Sequence, residues 1–160
     1  MLNEPVAVTL LVVDALESQG APYVIGDSFA SAIHGAFRLM ADSDLVADLK
    51  TGHVESFVRS VSGAFCVDAD SIREAIRTRS SFSVLHLGTM FKVDVLIPRP
   101  RAFDRAQLER RVKQVVSADP ERTAYVCTAE DTILAKLEWY RLGGIASDRQ
   151  WVGVQNVLKA

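Results

Sequence analysis

Tyr23-Val24-Ile25-Gly26-Asp27-Ser28-Phe29-Ala30-Ser31-Ala32-Ile33-His34-Gly35, with Asp42-Ser43-Asp44-Leu45-Val46 a few residues on, is the stretch on which the reading of this chain turns. Tyr23-Val24-Ile25 is a short apolar strand, Gly26-Asp27-Ser28 a tight turn, and Phe29 to Phe37 a small-residue helix with Gly35 near its end. Such a turn points backbone N–H groups and the positive end of a helix dipole at whatever occupies it, which suits a phosphate. From Asp42 to Leu49 a period of two puts Asp42, Asp44, Val46 and Asp48 on one face of a strand. Ser43, Leu45, Ala47 and Leu49 take the other.

Outward from this stretch, Val6, Leu10, Val13 and Leu16 recur at helical spacing, so Pro5 to Gln19 reads as an amphipathic helix stopped by Gly20 and Pro22. Thr51 to Ser62 reads as a helix burying Val54, Phe57, Val58 and Val61. Phe65-Cys66-Val67 is a brief strand, and Asp70 is expected to cap a helix through Ile72 and Ile76. Phe82 to Leu87 and Met90 to Ile97, separated by Gly88-Thr89, form a hairpin with Val93, Val95 and Ile97 on one face and Lys92 and Asp94 on the other. Pro98-Arg99-Pro100-Arg101 ends it, because proline cannot continue an internal ladder, and a loop is expected to follow. Val112 to Val116 and Ala124 to Cys127 read as strands. Thr128 and Asp131 have capping-box spacing ahead of a helix expected to bury Ile133, Leu134 and Leu137, with Lys136 away from the deepest core. Gly143-Gly144 breaks that helix, and Asp148 to Leu158 makes a last one on Trp151, Val154 and Leu158. The fold class is α+β, a small mixed sheet flanked by helices, in a single domain over 1–160. The abrupt end after Leu158 reads as a C-terminal truncation.

The 160 residues are 49% hydrophobic and 24% charged with a formal net charge of -2, the composition of a soluble globular domain. Asp14 and Glu17 interrupt the run from Val6 to Val13, well short of the ~18 to 20 apolar residues of a membrane span, and it lacks the basic flank of a secretory signal. No membrane partner is expected, and the near-neutral charge removes the default case for tight nucleic-acid binding. Cys66 and Cys127 have no metal-like spacing and read as buried free thiols of a cytoplasmic protein.

Asp42, Asp44 and Asp94 are the residues most able to carry chemistry, since carboxylates converging from neighbouring strands make an oxygen-rich site for a hard cation. With the anion-binding turn upstream and Arg38 just before the acids, the parts are those that hold a nucleoside triphosphate and stabilise in-line displacement at its α-phosphate. His34, His53 and His86 are scattered without paired spacing, which argues against zinc or histidine-based catalysis. Trp139 and Tyr140 read as core.

In this order the residues resemble the minimal nucleotidyltransferase family. There a strand leads to Gly-Gly or Gly-Ser, then a helix ending His-Gly, then Arg-x-Thr-x-Asp-x-Asp, and a later Lys-x-Asp strand to which Lys92-Val93-Asp94 is similar. Glu130-Asp131-Thr132-Ile133-Leu134-Ala135-Lys136-Leu137 resembles the C-terminal segment of its bacterial abortive-infection toxin branch. The resemblance implies a polymerase-beta-like nucleotidyltransferase fold, and Mg²⁺ (or Mn²⁺) held by Asp42, Asp44 and Asp94, with Asp94 also a base. It further implies an NTP contacted by Gly26, Asp27, Ser28 and Arg38, and Lys136 as a phosphate or acceptor contact counted with the catalytic residues. The implied activity is transfer of a nucleoside monophosphate to a hydroxyl of RNA or protein, in a bacterial toxin–antitoxin or phage-defence setting. Asp27 stands where the family has its first glycine, Met40 where it has threonine, and Ser43 where an apolar residue is usual. Asp27 puts a like charge and a Cβ where a phosphate must approach, so the rival reading is a degenerate, non-catalytic member that binds a nucleotide, nucleic acid or protein partner. A two-metal nuclease fits less well, because Lys92 precedes Asp94 rather than following it.

Overall fold

The computed structural model of the chain describes residues 4–26, 42–118 and 120–143, with 155, 158 and 159. Helix α1 (Glu4–Ser18) buries Val8, Val12, Val13 and Leu16. It buries Thr9 as well, because the hydroxyl is satisfied twice: Oγ1 donates to the Pro5 carbonyl at 2.7 Å and shares a 2.8 Å hydrogen bond with Ser43. Gly20, at φ +67°, turns the chain out of the helix while the Ala21 N–H reaches back to the Leu16 carbonyl.

Strand β1 (Tyr23–Gly26) is buried along its whole length, as a central strand covered on both faces must be. It runs antiparallel to β2 (Asp42–Ala47), with Gly26 opposite Asp44. On the far side of β2 lies β5 (Lys92–Leu96), parallel and in register, so that Asp42 faces Lys92 and Asp44 faces Asp94. Strand β4 (Ser81–His86) is antiparallel to β5 and brings Ser83 opposite Asp94. With β3 (Phe65–Cys66), β6 (Val112–Ala118) and β7 (Glu121–Val126), the described residues form a seven-stranded mixed sheet in the order β3-β4-β5-β2-β1-β7-β6.

Alternation along β2 and β5 assigns the faces. Ser43, Leu45, Ala47, Val93 and Val95 are buried in the main core with α1, α2 (Val54–Val61) and α3 (Ala69–Thr78), where Phe57 meets Phe82 edge to face at 6.0 Å. On the opposite face Val24 and Cys127 make a smaller cluster with Val46 and Leu108.

Several sequence expectations are corrected here. Thr51–His53 is a single 3-10 turn leading into α2. The cap of α3 is Asp68, whose carboxylate accepts the Asp70 N–H at 3.2 Å; Asp70 lies inside the helix. The segment after Pro98-Arg99-Pro100-Arg101 is helix α4 (Ala102–Arg110), which buries Asp104 and Gln107 and so lacks an apolar stripe to announce it. Cys66 is exposed and only Cys127 is buried, both as free thiols.

Helix α5 (Ala129–Gly143) begins as expected, with the Asp131 N–H donating to Thr128 Oγ1 at 3.1 Å. Its buried side differs. Leu134 and Leu137 are exposed, while Asp131, Thr132 and Lys136 are buried. Polar contacts set this rotation: Arg110 grips the Asp131 carboxylate with bonds of 2.7 and 3.1 Å, and Thr132 Oγ1 meets Cys127 Sγ at 2.9 Å. No described helix is long and apolar enough to cross a membrane. The helix expected over Phe29 to Phe37 and most of the one over Asp148 to Leu158 lie outside the described residues, as do the side chains of Trp139 and Tyr140.

Candidate active site

Register does what the spacing of Asp42 and Asp44 could only suggest. Because β2 and β5 are parallel and Asp44 pairs with Asp94, both carboxylates leave the sheet on one face, with Asp42 two residues along the same edge. All three are partly exposed on the face opposite the main core. Gly26, the last residue of β1, lies across from Asp44, so the chain leaves β1 at this same corner.

The third carboxylate has its own partners. Ser83 Oγ donates to Asp94 Oδ1 at 2.5 Å, and Lys92 Nζ stands 3.5 Å from the same oxygen. Among the described residues no three His, Cys, Asp or Glu side chains form a group able to hold a metal ion. The carboxylate chemistry and the shared face of Asp42 and Asp44 suit a hard divalent cation; Asp94, turned to Ser83 and Lys92, does not join them in this arrangement. His53 accepts the Lys50 N–H and His86 bonds Thr89, so both serve local turns.

Beside Asp44 opens a cavity of about 210 Å³ between the sheet, the segment from Ile97 to Arg101, α4 and α5. Leu96, Ile97, Pro98 and Phe103 give it apolar walls. Its framework is polar and well tied. The buried Asp104 carboxylate accepts the Arg99 N–H at 2.7 Å and two bonds from Arg101, at 3.1 and 2.6 Å, and Arg101 reaches on to Glu138 of α5 at 2.6 Å. Arg79, in the left-handed conformation at the end of α3 (φ 53°), sends its guanidinium to the Pro98 carbonyl at 3.1 Å.

Lys136 is 1% exposed, on the side of α5 that carries Asp131 and Thr132, while its neighbours Ala135 and Glu138 line the cavity. The Cys127 thiol, which meets Thr132 of α5, is pushed up to about 11, by burial first and then by the negative charges of Asp131 and Asp44. Asp27, Ser28 and Arg38, the expected nucleotide contacts, lie outside the described residues. Ser83, Arg79, Arg99 and Gln107 carry no motif and were not singled out from sequence. Ser83 alone had a usable signal, since hairpin pairing puts alternate residues of β4 on the face of Asp94.

No family model matches the chain, and neither does any curated protein. Solved structures do. The antibiotic-resistance factor ANT(2'')-Ia is similar with a TM-score of 0.62 at 12% identity, over 96% of this chain and 82% of that one. The lincomycin-bound lincosamide antibiotic adenylyltransferase LnuA gives 0.57 at 11% identity, over 98% and 96%. An antigenic nucleotidyltransferase-like protein from Paracoccidioides brasiliensis gives 0.60 at 16% identity, over 99% and 78%. With a mixed sheet carrying Asp42, Asp44 and Asp94 on one face and helices on both, this chain has the nucleotidyltransferase fold.

Proposed function

We propose that the chain transfers a nucleoside monophosphate from an NTP to an acceptor hydroxyl. The observation that carries this reading is the register of Asp44 against Asp94 on parallel strands, with Asp42 on the same face and Gly26 at the same corner. Asp42 and Asp44 would hold Mg²⁺ or Mn²⁺, whose Lewis acidity relieves charge building at the α-phosphate. The turn from Gly26 through Asp27 and Ser28, with Arg38, would contact the triphosphate. The acceptor oxygen forms a bond to the α-phosphorus as the bond to pyrophosphate breaks, and Asp94 takes the hydroxyl proton, oriented for it by Ser83 and Lys92. Lys136 is assigned to phosphate or acceptor contact. The resemblance seen in the sequence implies RNA or protein as acceptor in a toxin–antitoxin or phage-defence setting, whereas two structural neighbours are named for antibiotics.

The contact between Lys92 and Asp94 favours a second reading, a non-catalytic member in which the third carboxylate is neutralised. One assay separates the two. Purified protein with Mg²⁺ should move label from α-labelled, but not γ-labelled, NTP into RNA, co-expressed protein or a small hydroxyl compound. Asp42→Asn and Asp94→Asn should abolish transfer with thermal stability kept, since each preserves shape. Absence of label from every acceptor with the wild type leaves the non-catalytic reading.

A further inference from the structure

We infer that the cavity beside Asp44 is a binding site for a small hydroxylated organic anion; that this anion is the acceptor rests on the nucleotidyl-transfer reading. At about 210 Å³ the cavity lies below the ~300 to 1,000 Å³ usual for ligand pockets, so its occupant is small. Gln107 points to an occupant. It is only 7% exposed, lines the cavity from α4, and its side-chain amide has no hydrogen-bond partner among the described residues. A buried polar group left unpaired is destabilising, so an amide without a partner among the described residues, at a cavity wall, is explained by a ligand that completes it.

Charge specifies the ligand further. The lining residues Arg79, Arg99 and Arg101 balance Asp44, Asp104 and Glu138 in formal charge, so what selects the ligand is which cation is already committed within the protein. Arg101 is committed to both carboxylates, Arg79 to a carbonyl, and the Arg99 guanidinium makes no ion pair among the described residues. An anionic group therefore goes to Arg99, an amide or similar polar group to Gln107, and the body of the ligand lies on Leu96, Ile97 and Phe103. A hydroxyl at the other end faces Asp44.

The test is ligand-observed NMR on the full chain with three matched probes: N-acetyl-L-serine, its neutral carboxamide, and the cationic L-serinamide. The acid should bind best. Arg99→Ala and Gln107→Leu should each weaken it about tenfold, while the neutral carboxamide should be indifferent to Arg99→Ala. Arg99 is exposed, so its variant reports even if Gln107→Leu folds poorly. Absence of acid binding to the wild type, equal or better binding of the neutral or cationic probe, or insensitivity of the acid to Arg99→Ala overturns the site. The acceptor assignment is read separately, by adding α-labelled ATP and Mg²⁺ to the bound acid. A labelled small product supports it. Label found only in RNA or protein overturns it, and acid binding with no label in any acceptor overturns the transfer reading while the anion site stands.

Discussion

Ser43, between the two acids of β2, occupies a position where an apolar residue would pack without help, and it is fully buried. Its hydroxyl is tolerated because Thr9 of α1 meets it at 2.8 Å, tying the carboxylate strand to the first helix. Thr9→Val alone should cost about 1 to 3 kcal/mol by leaving Ser43 unpaired, whereas Thr9→Val with Ser43→Ala should cost less than the two single changes added together. Urea unfolding of the four proteins of the cycle reads this directly. The thiols give a pH-dependent counterpart. Cys127 keeps its proton to about pH 11 in the fold against an ordinary value of 9.0, so above 9.0 the unfolded chain sheds a proton that the native one retains. Its contribution is complete below that value and drains away as pH rises through about 11, and burial of the Tyr23 hydroxyl beside Glu17 acts in the same sense at higher pH still. Cys127→Ala should flatten the alkaline fall in stability between those limits. At neutral pH, Cys66 alone should react with an aromatic disulfide, Cys127 joining only after denaturation.

At the scale of elements, α4 and the segment before it are held by one carboxylate. Asp104 accepts the Arg99 N–H and both Arg101 bonds, and through Arg101 it fixes α4 against Glu138 of α5. Asp104→Ala should lower stability by about 2 kcal/mol in thermal unfolding and release the Arg99 segment, leaving β2 and β5 intact by circular dichroism. This element was invisible in the sequence because its buried residues are Asp104 and Gln107, and a search for apolar periodicity has nothing to find there. Helix α5 was visible but turned the wrong way. Leu134 and Leu137 looked like its buried stripe, yet the pairs Arg110–Asp131 and Cys127–Thr132 decide which side faces in, and they join residues whose proximity only the tertiary fold creates. The strands that matter most were legible. Strict alternation in β2 and β5 assigned Asp42, Asp44 and Asp94 to their faces, but that Ser83 and Lys92 would hold Asp94 depends on rotamers no spacing encodes.

For the molecule as a whole, the acidic face should respond to Mn²⁺ before any nucleotide is added. A rise in melting temperature with Mn²⁺ is expected for the wild type and lost in Asp44→Asn. Lys92→Met should strengthen Mn²⁺ binding severalfold, because it removes a cation 3.5 Å from the third carboxylate. Calorimetric titration of the three proteins checks this, and an unchanged affinity in Lys92→Met would mean that Asp94 stays apart from the ion. The sheet itself is unevenly sewn. Strands β2 and β5 match residue for residue from Asp42 with Lys92 to Val46 with Leu96, whereas β1 and β7 register only through Ile25 and Val126 among the described residues. Arg111 reinforces that seam from the side, donating to the Tyr23 carbonyl at 2.9 Å and stacking over the Tyr125 ring at 4.1 Å. The hairpin of β6 and β7 is therefore expected to open ahead of the rest: its amides should take up deuterium by opening away from β1 while those of β2, β4 and β5 wait for global unfolding. Since α5 follows directly on β7 and its Glu138 lines the cavity, such opening should also strain the Arg101–Glu138 bond, so exchange in the hairpin would report how often the cavity loosens.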